Sequence, residues 1–199
     1  MGKVPRITQT FVDVPGLELR ANYVDAADQE RLLAVVDASP WRDDLRRRVQ
    51  HYGYRYDYRS RSTGRDAYLG PLPGWASELA GRLAADTPVE TTPDQLIANE
   101  YLPGQGISAH VDCVPCFGNV VLSISLGSKC VMTFDEPSTG ASVDVLVEPG
   151  ALMVMTGDAR YVWRHSIAAR KSDVVDGRRI ERGRRVSLTF RTVLLDERT

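Results

Sequence analysis

The chain has 199 residues, 43% of them apolar, and a formal net charge of −1. That length suits one domain with a substantial core, and the near-neutral balance excludes a protein that attracts polyanions through its overall field. No apolar run nears the roughly twenty residues that span a bilayer, the first ten residues lack the apolar stretch of a signal peptide, and three cysteines are too few for a disulfide framework. The expected setting is the cytoplasm, with no membrane partner and with the thiols of Cys113, Cys116 and Cys130 reduced.

Residues 1–24 read as an extended lead-in broken by Pro5 and Pro15. Asp25 is a fitting N-cap for a helix over 26–38, with Leu32, Leu33, Val35 and Val36 on its apolar side and Ser39-Pro40 as its stop. Over 49–58 the period becomes two: Tyr52, Tyr54, Tyr56 and Tyr58 share one face, and His51, Arg55 and Asp57 the other. A polar loop over 60–66 follows, then a helix over 75–85 with Leu79 and Leu83 inward. Beyond residue 91 the texture is short strands divided by glycines: 96–102, 119–126, 129–134, 142–147, 151–155, 160–163 and 185–194. Residues 171–184 read as an exposed loop. Strands this short and numerous imply a sandwich or jelly roll rather than a parallel βαβ sheet.

Charge is unevenly spread. Residues 42–65 carry eight Arg against three Asp, and 164–185 carry eight Lys or Arg against three acids. The segment from Arg46 through Arg48 to Tyr52, Tyr54 and Tyr56 joins phosphate-type donors to rings that stack on bases. Arg48, Tyr52 and Tyr54 are the candidate substrate contacts. The bland alternative is that the four Tyr are the half-buried face of an ordinary strand.

Three histidines occur in all, and two of them carry the chemistry. On an extended backbone His110 and Asp112 point the same way, and His165 follows about fifty residues later. Two His and one carboxylate form a facial triad for non-haem Fe(II) with positions left open. A lone H-x-D is weak, but Gly104 and Gly106 before it permit a close backbone approach, and Asn99 and Tyr101 share a face of the strand leading in. In 185–191, Arg185, Ser187, Thr189 and Arg191 alternate with Val186, Leu188 and Phe190. Two guanidinium groups on an inner face call for an anion, and a dicarboxylate satisfies both. Cys113-Val114-Pro115-Cys116 is a C-x-x-C without a βαβ context, so no redox role is read from it.

The pattern of Asn99, Tyr101, Gly104, Gly106, Ile107, His110 and Asp112, then His165, then Arg185-x-Ser187-Leu188-Thr189-Phe190-Arg191, resembles the AlkB family of Fe(II)- and 2-oxoglutarate-dependent dioxygenases. The stretches 123–128 and 155–165 resemble most the branch that includes a hydroxylase of modified wobble uridine in tRNA. The resemblance implies a mainly β (α+β) fold: a double-stranded β-helix, or jelly-roll, core over 91–199, and an N-terminal extension over 1–90 with helices and a nucleotide-holding β-hairpin lid. Together they make one domain, taken as a monomer. It implies His110, Asp112 and His165 as iron ligands, and Asn99, Tyr101, Arg185, Ser187 and Arg191 around 2-oxoglutarate. Arg185 and Tyr101 would take the distal carboxylate and Arg191 the metal-bound end. With Fe(II), 2-oxoglutarate and O2, such an enzyme hydroxylates a C–H bond, and a hydroxylated N-alkyl carbon leaves as formaldehyde.

The partner implied is nucleic acid, DNA or RNA, holding an alkylated or modified base; flipping brings such a base to the metal. Oxidative dealkylation is the leading expectation and hydroxylation of a tRNA uridine its alternative. DNA-repair relatives carry an acidic residue two positions after the metal Asp, and here that position is Val114. Two further readings are a small-molecule or protein hydroxylase on the same scaffold, and a jelly roll that binds without catalysis.

Overall fold

Period-two alternation along the strands sorts side chains to opposite sides of a sheet, and here it builds three layers. The structure is a computed structural model that describes residues 8–11, 13–43 and 45–195. In chain order it has β1 (Thr8–Phe11), β2 (Leu17–Ala21), α1 (Ala26–Asp37), β3 (Val49–Tyr52), α2 (Gly74–Asp86), β4 (Gln95–Tyr101) and β5 (Ile107–His110). Then come β6 (Val121–Gly127), β7 (Cys130–Glu136), β8 (Ala141–Val147), β9 (Leu152–Met155), α3 (Gly157–Tyr161), β10 (Arg164–Ile167), β11 (Ser172–Val175), β12 (Arg178–Glu181) and β13 (Arg185–Arg191).

A seven-stranded sheet runs β1-β2-β9-β6-β13-β4-β3, and a four-stranded sheet runs β5-β10-β7-β8. Pairing is antiparallel in both, as a jelly roll requires. On the outer side of the large sheet, Leu96, Leu122, Ile124, Leu152, Val154, Val186, Leu188 and Phe190 pack against Leu32, Val36, Ala76, Leu79 and Leu83 of the two helices. On its inner side, Tyr101, Val121, Met153 and Met155 meet Met132, Phe134, Val145 and Ile167 of the small sheet. The expected helices are both present. Asp25 caps the first, accepting from the Asp28 amide at 2.8 Å. The strands before residue 91 join the large sheet, β2 beside β9 and β3 beside β4.

Four expectations change. The strand over 49–58 ends at Tyr52, because Gly53 turns the chain at φ +76°, and a Cβ there would lie 1.8 Å from the Asp94 carbonyl oxygen. The expected strand over 160–163 is the end of α3 and the lead into β10. There Arg160 is drawn inward by carbonyls that need a donor, and its period-two signal is lost. The expected loop over 171–184 is the hairpin β11–β12 with a charged anchor beneath it. The reduced C-x-x-C is instead a Cys113–Cys116 disulfide, with Cys130 free and buried.

The hairpin's anchor is Asp173, 1% exposed, which accepts from Arg182 Nε and Nη2 at 2.6 Å each, from Arg170 Nε at 2.8 Å and from the Val131 amide at 3.0 Å. Burial pushes the carboxyl up, but the hydrogen bonds from Arg182, Val131 and Arg170 outweigh it and hold it below the ordinary carboxylate value. A depressed carboxyl adds stability above its unfolded pKa, near 4, and that stability is lost as pH falls through the lower folded value. Asp173→Asn leaves Arg182 buried without its charge partner and is expected to cost about 3 kcal/mol. Thermal unfolding at neutral pH should show a melting point lower by roughly 10 °C, and the difference from wild type should shrink in acid.

Candidate active site

Antiparallel register brings the site together. β13 lies between β4 and β6 and pairs Arg185 with Tyr101, Ser187 with Asn99 and Ser125, and Thr189 with Ser123. Its even positions face the helices, and Arg185, Ser187, Thr189 and Arg191 face inward. From the small sheet, β10 pairs His165 directly with His110 on β5. The two sheets enclose a cavity of about 270 Å³. Its lining includes His110, Asp112, His165, Asn99, Tyr101, Arg185, Ser187 and Arg191, so all eight expected metal and cosubstrate residues meet in one place. Gly106 permits the close approach at the start of β5: a Cβ there would stand 2.1 Å from the Ile167 carbonyl oxygen.

The three donors are in chemically ready states. The His110 and His165 rings are 4.3 Å apart, and His165 Nε2 is 3.9 Å from Asp112 Oδ2. His110 Nδ1 sits 2.8 Å from the Ser108 carbonyl oxygen, which fixes that nitrogen as the N–H and leaves Nε2 with its lone pair outward. Burial pushes the His165 imidazole down to about 4, so it is neutral at pH 7 and able to ligate. Burial alone would drive the Asp112 carboxyl up, but Arg191, His165, His110 and Arg160 hold it well below the ordinary range. Arg191 Nη2 donates to Asp112 Oδ1 at 2.8 Å, which leaves Oδ2 toward His165. His165 Nδ1 and Arg191 Nε are buried without a partner. Donors of this kind fit Fe(II), and at 3.9 Å His165 Nε2 and Asp112 Oδ2 stand wider than the roughly 3 Å between cis ligands about 2.1 Å from an octahedral ion. Among the described residues no three His, Cys, Asp or Glu are already closed to a metal cage.

Deeper in the cavity, Arg185 Nε donates to Ser125 Oγ at 2.9 Å and its guanidinium lies 5.4 Å from the Tyr101 ring. Ser187 Oγ is 2.8 Å from Ser123 Oγ. Arg185 and Arg191 therefore line opposite ends of one chamber, Arg191 at the end that holds Asp112. The segment after Asp112 is held from below by Arg160, 2% exposed, which donates to the carbonyl oxygens of Gly118, Asp112, Cys113 and Phe117 at 3.0–3.3 Å. Arg160 lies within the 155–165 motif, yet its role needs the fold to be seen.

The expected substrate contacts lie elsewhere. Arg48 pairs with Glu100 at 2.6 Å and stacks over Trp41, outside the cavity. Tyr52 packs on Trp75 with its hydroxyl on Gln50, and Tyr54 sits against Tyr68. The rim is made by Arg47, Tyr56, Tyr58 and Arg61. Register is the reason. The pairing of Val49 with Asn99, continued backward, sets Arg48 opposite Glu100 on the helix side and Arg47 opposite Tyr101 on the cavity side. Val114 is exposed and does not line the cavity.

Residues 29–191 match the family model described as 2OG-Fe(II) oxygenase superfamily. The chain is a 2OG-Fe(II) oxygenase. This oxygenase is 35% identical over 206 residues to the mouse (Mus musculus) tRNA (carboxymethyluridine(34)-5-O)-methyltransferase ALKBH8, an alignment that covers 90% of this chain and 30% of the mouse protein. It is 32% identical to Uncharacterized protein L905 of Acanthamoeba polyphaga mimivirus, over 92% of this chain and 87% of that one. The structure of OsALKBH1 superposes with a TM-score of 0.68 at 20% identity, covering 93% of this chain and 100% of that one, which supports the jelly-roll fold. The oxygenase spans less than a third of the length of the mouse relative. Its family uses Fe(II), 2-oxoglutarate and O2.

The thiol arrangement is directly checkable. Alkylation of the denatured, unreduced oxygenase should modify one of its three cysteines, Cys130, and all three after reduction. Mass spectrometry showing three alkylated cysteines without reductant would contradict the Cys113–Cys116 bond.

Proposed function

We propose that this oxygenase oxidises a modified, uncharged base of the uridine type in RNA, with tRNA as the first candidate. His110, Asp112 and His165 would hold Fe(II). Arg191 and Arg185 would take the two carboxylates of 2-oxoglutarate, with Tyr101, Asn99 and Ser187 between them. When bound, the iron supplies oxygen activation coupled to decarboxylation of the cosubstrate. The chain's own residues bind, orient and exclude water. Arg191 keeps Asp112 ionised, Arg160 fixes the backbone of residues 112–118, and Ile97, Ile107, Met132 and Met153 make the remaining wall apolar.

The carrying observation is the charge of the cavity. Arg47, Arg61, Arg185 and Arg191 line it against the single carboxylate of Asp112. Iron adds two positive charges and 2-oxoglutarate two negative ones, so the balance at the rim stays positive. The cationic bases 1-methyladenine and 3-methylcytosine meet like charge there, and among the described residues no acid besides Asp112 lines the cavity. A uracil ring presents neutral carbonyl acceptors, which guanidinium and tyrosine donors suit. The mouse relative's name places its activity on a modified tRNA uridine, which agrees with this choice.

The test is mass spectrometry of nucleosides from total tRNA, and from DNA containing 1-methyladenine, incubated with enzyme, Fe(II) and 2-oxoglutarate. A modified uridine in tRNA should gain one oxygen or lose an alkyl group, with succinate formed in step. Turnover of 1-methyladenine DNA with no change in any tRNA uridine would overturn the proposal. His165→Ala should weaken Mn(II) binding at least about a hundredfold by calorimetry, because a first ligand is lost.

A further inference from the structure

Three consecutive arginines before β3 go to three destinations. Arg46 is exposed, and its carbonyl oxygen accepts from Gln105 Nε2 at 2.7 Å. Arg48 crosses to Glu100 on the helix side. Arg47 turns into the cavity. Its Nε donates to Asn99 Oδ1 at 3.0 Å, and its guanidinium lies 5.9 Å from the Tyr101 ring and 5.7 Å from the Tyr58 ring. Asn99 and Tyr101 belong to the chamber, and Tyr58 belongs to the rim. One guanidinium touches both.

We propose that Arg47 is a positioning residue that couples the substrate rim to the 2-oxoglutarate chamber. This rests on the reading above, in which Asn99, Tyr101 and Arg185 surround the cosubstrate. A charged N–H on Asn99 Oδ1 fixes which way that amide points and turns its Nδ2 donor toward other acceptors. Among the described residues Asn99 Nδ2 reaches the Ile97 carbonyl oxygen at 3.5 Å, a contact that a carboxylate oxygen readily replaces. On the rim side, the Tyr58 hydroxyl is buried with no hydrogen-bond partner among the described residues, so the ring is held by its neighbours: Arg47, Tyr56 at 5.2 Å and His51 at 5.7 Å. Ordering Tyr58 against a flipped base orders Arg47, and Arg47 in turn orders Asn99. Such coupling is reciprocal, so a filled chamber also prepares the rim.

The test needs no substrate. The full chain, loaded with Mn(II), is titrated with 2-oxoglutarate by calorimetry as wild type, Arg47→Met, Arg47→Lys, Tyr58→Leu, the Arg47→Met/Tyr58→Leu double variant and Arg185→Met. Arg47→Met should bind roughly tenfold more weakly, as expected for one lost charge-assisted contact. Arg47→Lys, which keeps the charge without the Nε donor, should fall between it and wild type. Tyr58→Leu should lose a few-fold, and the double variant should be no worse than Arg47→Met alone, because Tyr58 acts through Arg47. Arg185→Met should lose far more than either. Wild-type affinity in both Arg47 variants, or losses that multiply in the double variant, would overturn the coupling while an impaired Arg185→Met leaves the chamber standing. If Arg185→Met binds as wild type, the chamber reading itself fails and the coupling falls with it. Melting curves of each variant identify any loss that is merely unfolding, and Arg47→Lys then decides.

Discussion

A buried guanidinium against a buried carboxylate ties the two sheets together at the cavity between them. Arg191 ends β13 in the large sheet, and Asp112 follows β5 in the small one. Each is nearly enclosed, and the pair closes at 2.8 Å. Burial on its own would return the carboxyl to its neutral form, which makes a poor metal ligand. Arg191 reverses that balance and keeps one oxygen ionised and free. The interaction also has a structural cost if broken, because either survivor would be a lone charge in a dry interior. The Phe117 ring, 4.9 Å from the Arg191 guanidinium, and Gln95 Oε1 at 3.3 Å leave that side chain little room to turn.

Around this pair the fold separates rigidity from access. The helices pack on one face of the large sheet, and β13 is buried at every residue. The chain from Asp112 to the start of β6 forms no helix or strand of its own, and two devices hold it instead. Arg160 gathers four carbonyl oxygens from beneath, and the Cys113–Cys116 bond closes the turn above, where the Arg61 carbonyl oxygen lies 3.3 Å from Cys113 Sγ. The rim is built differently, from Arg47 just before β3 and from Tyr56, Tyr58 and Arg61 on irregular backbone after Gly53. A regular, enclosed chamber beneath a cationic mouth fits the proposal of an enzyme that admits a nucleotide and excludes water.

Much of this was legible in the residues themselves. The alternation in 185–191 announces an inner polar face and an outer apolar one, and β13 has both. The spacing of His110, Asp112 and His165 suggests a triad, and the register of β5 with β10 sets His110 beside His165, with Asp112 lining the same cavity. What the sequence conceals is register between segments far apart in the chain. Arg47 and Arg48 are chemically identical neighbours, and only pairing with β4 sends one to the cavity and the other to Glu100. The tyrosines look like one face until Gly53 reverses the backbone between Tyr52 and Tyr54. Asp173 and Arg182 look like solvated charges in a polar tract because their partners, each other and the Val131 amide, come from across a hairpin. The Cys113–Cys116 bond defeats an expectation drawn from compartment and composition rather than from geometry.

The central claim is that three donors from the small sheet and two arginines from the large one serve a single metal and a single dicarboxylate. A crystal structure of the oxygenase with Mn(II) and 2-oxoglutarate tests it most directly, because manganese is located by its anomalous scattering. The metal is expected on His110, Asp112 and His165, with 2-oxoglutarate running from it toward Arg185. Manganese bound away from those three side chains, or a cosubstrate whose far carboxylate avoids Arg185, would contradict the account.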